Sequence, residues 1–357
     1  PTPENIMEAT NRALREGKTG YNPSVGIPQL RDALAEIIGF ERGISLTREN
    51  VVVQPGGKPV ISKFIQALMN PGDGVLYPNP GYPIYESQIK FHGGIPLPYG
   101  YLPKPNGFSI DRDRVEEMID SNTRLLVYNN YQNPMGGESD QDEMDWIADL
   151  ALRHDLWVLS DEAYFNVQYS GKPKSIVSLP GMQERTVILY TFSKTYAMTG
   201  WRLGAAIGCA DLMKIFAKLS VNDESCTNHF HQWAMVEAVT GDQSGAKAIL
   251  GELRKRRDAA LKGLNAINSI NVAKPECTFY LFPNVTNIMK RKGFSKIGEL
   301  QEGALHNSGV SFCTREHFGR TQDGETEFYI RFAYSGITVE DITEGMVKLK
   351  EYFESSN

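Results

Sequence analysis

The stretch Thr191-Phe192-Ser193-Lys194-Thr195-Tyr196-Ala197-Met198-Thr199-Gly200-Trp201-Arg202-Leu203-Gly204 decides how this chain is read. It follows Val187 to Tyr190, an apolar run with β-branched and aromatic residues that predicts a strand. A lone lysine after a strand is ordinarily a solvated side chain. Lys194 is not alone, because Thr191 stands three residues before it and Arg202 eight after. One short loop can therefore turn an amine, a hydroxyl and a guanidinium toward a single phosphorylated ligand. Arginine suits that ligand because its planar fork grips phosphate through two parallel charge-assisted bonds.

Thr191-x-x-Lys194 followed by Gly200-Trp201-Arg202-Leu203-Gly204 closely resembles the Ser/Thr-x-x-Lys and Gly-Trp-Arg-x-Gly signature of the class I aminotransferases, pyridoxal-phosphate enzymes of fold-type I. The resemblance runs over nearly the whole chain, with the motifs in family order. It implies an α/β fold with a mostly parallel central sheet in a large domain, over residues 20–260. A smaller α+β domain would comprise residues 261–357 together with the N-terminal helix, residues 1–19. Lys194 would carry pyridoxal 5′-phosphate covalently, with Thr191 and Arg202 on its phosphate. A desolvated lysine near other cations has a lowered pKa, which keeps part of the amine neutral and nucleophilic.

Composition agrees with such an enzyme. At 357 residues, two packed domains are the natural expectation. Hydrophobic residues at 41% and charged residues at 22% are ordinary globular values. No apolar run approaches a membrane span, and a net charge of −6 argues against a general nucleic-acid surface. Arg254-Lys255-Arg256-Arg257 reads as a solvated helix face. The four cysteines are scattered without metal-ligand spacing, which fits reduced thiols in a cytoplasm. No signal peptide is apparent, since Thr2-Pro3-Glu4 already reads as a helix start. The family usually carries a segment before that helix, so an N-terminal arm is expected to be missing.

Toward the N-terminus, Val51-Val52-Val53 predicts a buried strand and Gln54-Pro55-Gly56-Gly57-Lys58 leads into a helix. A glycine pair there lets the backbone approach an anion at the helix N-terminus. By itself the motif is weak, but the resemblance makes Gly57 and Lys58 part of the phosphate cradle, with backbone donation the safer role for Lys58. The resemblance also stacks the Tyr82 ring on the cofactor's pyridine. It sends Tyr21, in Tyr21-Asn22-Pro23-Ser24-Val25-Gly26, across a homodimer interface to the neighbour's phosphate. The proline-rich segment Pro96 to Pro105 is expected to be connecting structure.

After the strand Arg124 to Tyr128, Asn133-Pro134-Met135-Gly136 matches the family's Asn-Pro-x-Gly, and Asn133 would bond the cofactor's phenolic oxygen. Met135 replaces the usual threonine. Asp161 ends a predicted strand, where open α/β sheets bind ligands, although a carboxylate there is also commonly a helix cap. The resemblance assigns it the ring nitrogen, which must stay protonated for the cofactor to act as an electron sink. It assigns Tyr164 to the phenolic oxygen.

Toward the C-terminus, Asn222 to Gln232 is expected to be a loop and a candidate for substrate selection. His229 and His231 lack a third ligand at metal spacing, so they are read as structural and no metal is expected. Arg315 would extend the pocket or face water. Arg331, among the apolar residues of Phe328 to Ser335, needs a carboxylate partner, which in the family is the substrate's α-carboxylate.

The function implied is transamination between an L-amino acid and a 2-oxo acid by ping-pong kinetics, with Lys194 as general base and then acid. A β-lyase, decarboxylase or cyclase on the same cofactor site is the alternative. A cofactor-binding regulatory domain without turnover is the alternative from another class. The donor and acceptor are left open by the motifs.

Overall fold

The computed structural model describes residues 1–355. Its strands, in chain order, begin with Val51–Gln54 (β1), Gly74–Pro78 (β2), Ile95–Tyr99 (β3) and a hairpin of Tyr101–Lys104 (β4) with Gly107–Ile110 (β5). Thr123–Tyr128 (β6), Trp157–Asp161 (β7), Thr186–Thr191 (β8) and Gly204–Ile207 (β9) follow. Seven of them form one sheet in the order β1-β9-β8-β7-β6-β2-β3. Only β9 runs against the rest, antiparallel to both β8 and β1. The sheet is therefore mostly parallel, as the resemblance implied.

The apolar runs explain why it is covered on both faces. Successive side chains of a strand point to opposite faces. Val51, Val53, Ile188 and Tyr190 pack with Leu34 and Ile38 of the helix Pro28–Arg42, and with Met235 of the helix His229–Thr240. Val52, Val187 and Leu189 pack the other way, on Phe64 of the helix Lys58–Leu68 and Phe216 of the helix Ala210–Asp223. Strands buried on both sides read as continuous hydrophobic runs.

Two departures from the sequence reading have simple causes. Pro96 and Pro98 lie in β3 rather than in irregular structure. β3 is the outermost strand and pairs only with β2, so prolines at alternate positions can direct their missing N–H groups to the free edge. The four-residue basic run is not wholly solvated, since Arg257 is buried. It pairs with Asp258, donates to the Pro275 carbonyl and lies 4.4 Å from the Tyr169 ring centroid.

A second sheet of three short antiparallel strands, Tyr280–Leu281 (β10), Cys313–Thr314 (β11) and Ile330–Ala333 (β12), has the order β10-β12-β11. The helices Ser244–Asn265, Ile297–Ser308 and Val339–Glu354 cover it with Leu264, Leu300 and Leu349. Tyr164 and Phe165, just beyond β7, belong to that same core, so the two layers share a wall. The N-terminal helix Glu4–Arg15 lies elsewhere: Ile6 and Ala9 pack with Ala234 and Met235, and Asn5 donates to Glu237 at 3.0 Å.

Further polar ties hold the frame. Arg42 donates twice to Glu162 (2.9 and 3.0 Å) with both side chains essentially inaccessible, and its guanidinium lies over the Phe165 ring. The segment after β11 is strapped to the loop after β2: Gly81 N–H donates to Phe318 O, and Asn79 donates to Arg320 O, both at 2.9 Å. Among the described residues no helix is long and apolar enough to cross a membrane.

Candidate active site

The carboxyl ends of the parallel strands open on one cavity of about 680 Å³. Gly57 and Lys58 reach it from the turn after β1, and Tyr82 from the loop after β2. Asn133 comes from the turn after β6, Asp161 and Tyr164 from the end of β7, and Thr191 and Lys194 from the end of β8. Arg202 precedes β9, whose reversed direction starts it at this same edge. Arg331 arrives from β12 of the second sheet. Tyr21 does not line this cavity; it is 91% exposed.

Lys194 lies 5.7 Å from the Tyr164 ring centroid and 5.6 Å from that of Phe279. Burial holds its amine below the usual lysine range; Asp161 opposes that effect, and Arg331 and Arg202 reinforce it. The Thr191 hydroxyl receives Ser193 N–H (3.2 Å) and lies 3.0 Å from Ser193 Oγ and 3.3 Å from the Leu203 carbonyl. Two non-glycine residues of this loop have left-handed backbones, Ala197 at φ +54° and Arg202 at φ +56°. Such conformations persist where the surroundings fix them. Here they bring the Arg202 guanidinium against Gly56, so closely that a Cβ on Gly56 would collide with it.

Asp161 accepts from the Tyr85 hydroxyl (2.6 Å) and from Ala163 N–H (3.1 Å). Burial pushes its carboxyl above the usual range, against the lowering effect of those two bonds. A buried carboxylate in that position gains from a cationic partner in the cavity. Arg331 donates to Asn133 Oδ1 (2.7 Å), and its Nε is buried without a partner among the described residues. Its guanidinium carbon lies 4.3 Å from the Tyr280 ring centroid and 4.5 Å from that of Phe318. Among the described residues, neither Arg331 nor Lys58 has a carboxylate within ion-pair distance.

The residues fit a phosphorylated pyridine. A glycine-lined turn leads into the helix Lys58–Leu68, and a Cβ on Gly57 would stand 2.9 Å from Leu189. Backbone donors at a helix start and the Arg202 guanidinium suit a phosphate. Asp161 suits a protonated ring nitrogen, and the depressed amine of Lys194 suits a carbonyl carbon.

Sequence reasoning missed Tyr85, Ser193, Tyr280, Cys313, His317 and Phe318, all of which line the cavity. His317 Nδ1 accepts Thr314 N–H (3.1 Å), which leaves its neutral-form proton on Nε2. Arg315 was expected to extend the pocket or face water. It is buried instead, in a two-pronged pair with Glu325. His229 and His231 start the helix His229–Thr240 rather than lying in a loop. The His231 ring rests 5.0 Å from Trp201, and burial lowers its pKa. Among the described residues no group of three potential ligands could hold a metal ion.

Comparison with known proteins gives the wider context. The family model described as "Aminotransferase class I and II" matches residues 1–349. A "Probable aspartate/prephenate aminotransferase" of Aquifex aeolicus is 33% identical over 99% of this chain and 88% of its own length. An "Asparagine--oxo-acid transaminase" of Streptococcus mutans is 31% identical over 98% of this chain and 86% of its own length. Among solved structures, an aromatic aminotransferase from Pyrococcus horikoshii superposes with a TM-score of 0.91 at 29% identity, covering 98% of this chain and 92% of that one.

Proposed function

This chain belongs to the class I and II aminotransferase family, and from that premise we propose that its amino donor is a dicarboxylic L-amino acid such as aspartate, with a 2-oxo acid as acceptor. The observation that carries this choice is the pair of cations, Arg331 and Lys58, that face one cavity without carboxylate partners among the described residues. Arg331 would fork onto the α-carboxylate and Lys58 would meet the distal one. The relatives whose printed names include aspartate or asparagine support the four-carbon chain length.

Pyridoxal phosphate, when bound, supplies an electron sink for the pair released at the substrate's Cα. Gly57, the backbone of Lys58, Thr191 and Arg202 would hold its phosphate, Tyr82 would stack on its ring, and Asp161 would face its ring nitrogen. Asn133 and Tyr164 would meet its phenolic oxygen. The Lys194 amine, held below the usual lysine range by burial, would take the Cα proton as general base and give it back as general acid. Arg331 fixes the carboxylate so that the Cα–H bond faces that amine. We further propose a homodimer in which the exposed Tyr21 hydroxyl completes the neighbour's phosphate site.

Lys58→Ser tests the substrate class. The Lys58 side chain is exposed, so losing its charge costs about 1 kcal/mol, and kcat/KM for aspartate should fall by roughly 5-fold. Values for alanine should hardly move. Equal losses for both donors would place Lys58 on the cofactor instead.

A further inference from the structure

One contact on the cavity wall has no part in the function above. Tyr280 is buried, and its hydroxyl lies 2.5 Å from that of Tyr164. The backbone before it is fixed by Thr278, which holds a left-handed φ of +61°. Thr278 O accepts from the Tyr169 hydroxyl (2.7 Å) and its N–H donates to Val167 O (2.9 Å). The Arg331 guanidinium rests against the Tyr280 ring.

Two phenols sharing one hydrogen bond have two protons between them, and only one lies in the shared bond. If Tyr164 donated to Tyr280, its proton would point away from the cavity and offer a ligand only lone pairs. If Tyr280 donates, the Tyr164 proton is free for an acceptor in the cavity. Charge favours the second arrangement. Burial raises both phenols; Arg331 draws both back down, as the foremost opposing cause at Tyr280 but the least of the causes at Tyr164, which Asp161 pushes further up. The more acidic phenol is the better donor.

We propose that Tyr280 is a positioning residue whose O–H donates to Tyr164, reserving the Tyr164 proton for the cavity, and whose ring seats Arg331. This rests on the aminotransferase reading, in which Tyr164 faces the phenolic oxygen of pyridoxal phosphate. A hydrogen bond given to that oxygen favours the form of the lysine-linked cofactor that has lost its proton. Weakening the donor therefore raises the pH midpoint of the cofactor's absorbance change.

The test uses the full chain loaded with pyridoxal phosphate, titrated without substrate and then assayed with aspartate. Tyr280→Phe keeps the ring and loses one neutral hydrogen bond. The midpoint should rise by about 0.4 to 1 in pH and kcat should fall roughly 2- to 10-fold, with KM nearly unchanged. Tyr280→Leu, which also removes the ring, should raise KM. In a Tyr164→Phe background, Tyr280→Phe should shift the midpoint no further. Should Tyr280→Phe fail to fold, 3-fluorotyrosine at position 280 is the substitute; as a stronger donor of almost the same shape, it should lower the midpoint. An unmoved midpoint in the folded variants, or a full additional shift in the Tyr164→Phe background, overturns the proposal. If the unaltered chain takes up no cofactor and transfers no amino group, the aminotransferase reading falls first and this inference with it.

Discussion

A buried amine is a liability to a folded chain before it is an asset to a reaction. Burial holds Lys194 below its ordinary pKa of 10.5, so between the depressed value and 10.5 the unfolded chain binds more protons than the folded one. Stability of the cofactor-free protein must then rise with pH through that window. Lys194→Met removes the liability, so its cofactor-free form should melt higher at pH 7, by an amount that shrinks as pH approaches about 10. Thermal scans at several pH values check this, and a gap that widened with pH would contradict it. Asp161→Asn should fold normally yet lose about two to four orders of magnitude in kcat, as the partner of a protonated ring nitrogen would. Near-normal turnover would reduce Asp161 to a structural cap. Lys194, Asp161 and Arg331 were legible in the sequence because they stand in motifs that resemble the aminotransferase pattern, and the structure brings all three to one cavity. Tyr85 and Tyr280 were not, because each acts on a residue far away in the chain, 76 and 116 positions from its partner respectively.

Among the elements, the buried strands announced themselves through runs such as Val51-Val52-Val53, where both faces must be apolar. Edge strand β3 was hidden by its prolines, which an outermost strand tolerates and a central one does not. Arg257 was hidden because four successive basic residues on a helix point in different directions, and one of them points inward. The tie between the helix Pro28–Arg42 and the end of β7 was equally invisible. Removing one member of a buried ion pair strands the other, so Arg42→Ala should destabilise the chain by about 3–5 kcal/mol. Arg42→Met with Glu162→Gln should recover much of that loss, measured by urea unfolding. If the double variant proved as unstable as Arg42→Ala, packing on Phe165 would outweigh the ion pair.

For the molecule as a whole, the exposed Tyr21 makes subunit exchange the informative experiment. Mixed dimers of Tyr21→Phe and Lys194→Ala chains should place the one working lysine opposite an intact Tyr21. Mixing the doubly altered chain with the unaltered one should place it opposite Phe at that position. The first mixture should bind cofactor more tightly, provided Tyr21→Phe weakens binding in its own homodimer; equal binding would then refute the crossed arrangement. The order of the sheet also has a consequence for the birth of the protein. Among the described strands β1 pairs with β9 alone, beyond the single bond from Val53 N–H to Val25 O, and β9 is made long after it. On the ribosome, the Gly57 turn thus waits on a strand without its sheet neighbour until Gly204–Ile207 has left the exit tunnel, and Arg202 arrives in that same instalment. A phosphate cradle built from Gly57 and Arg202 would therefore be complete only after that point, whereas Arg331 emerges later still.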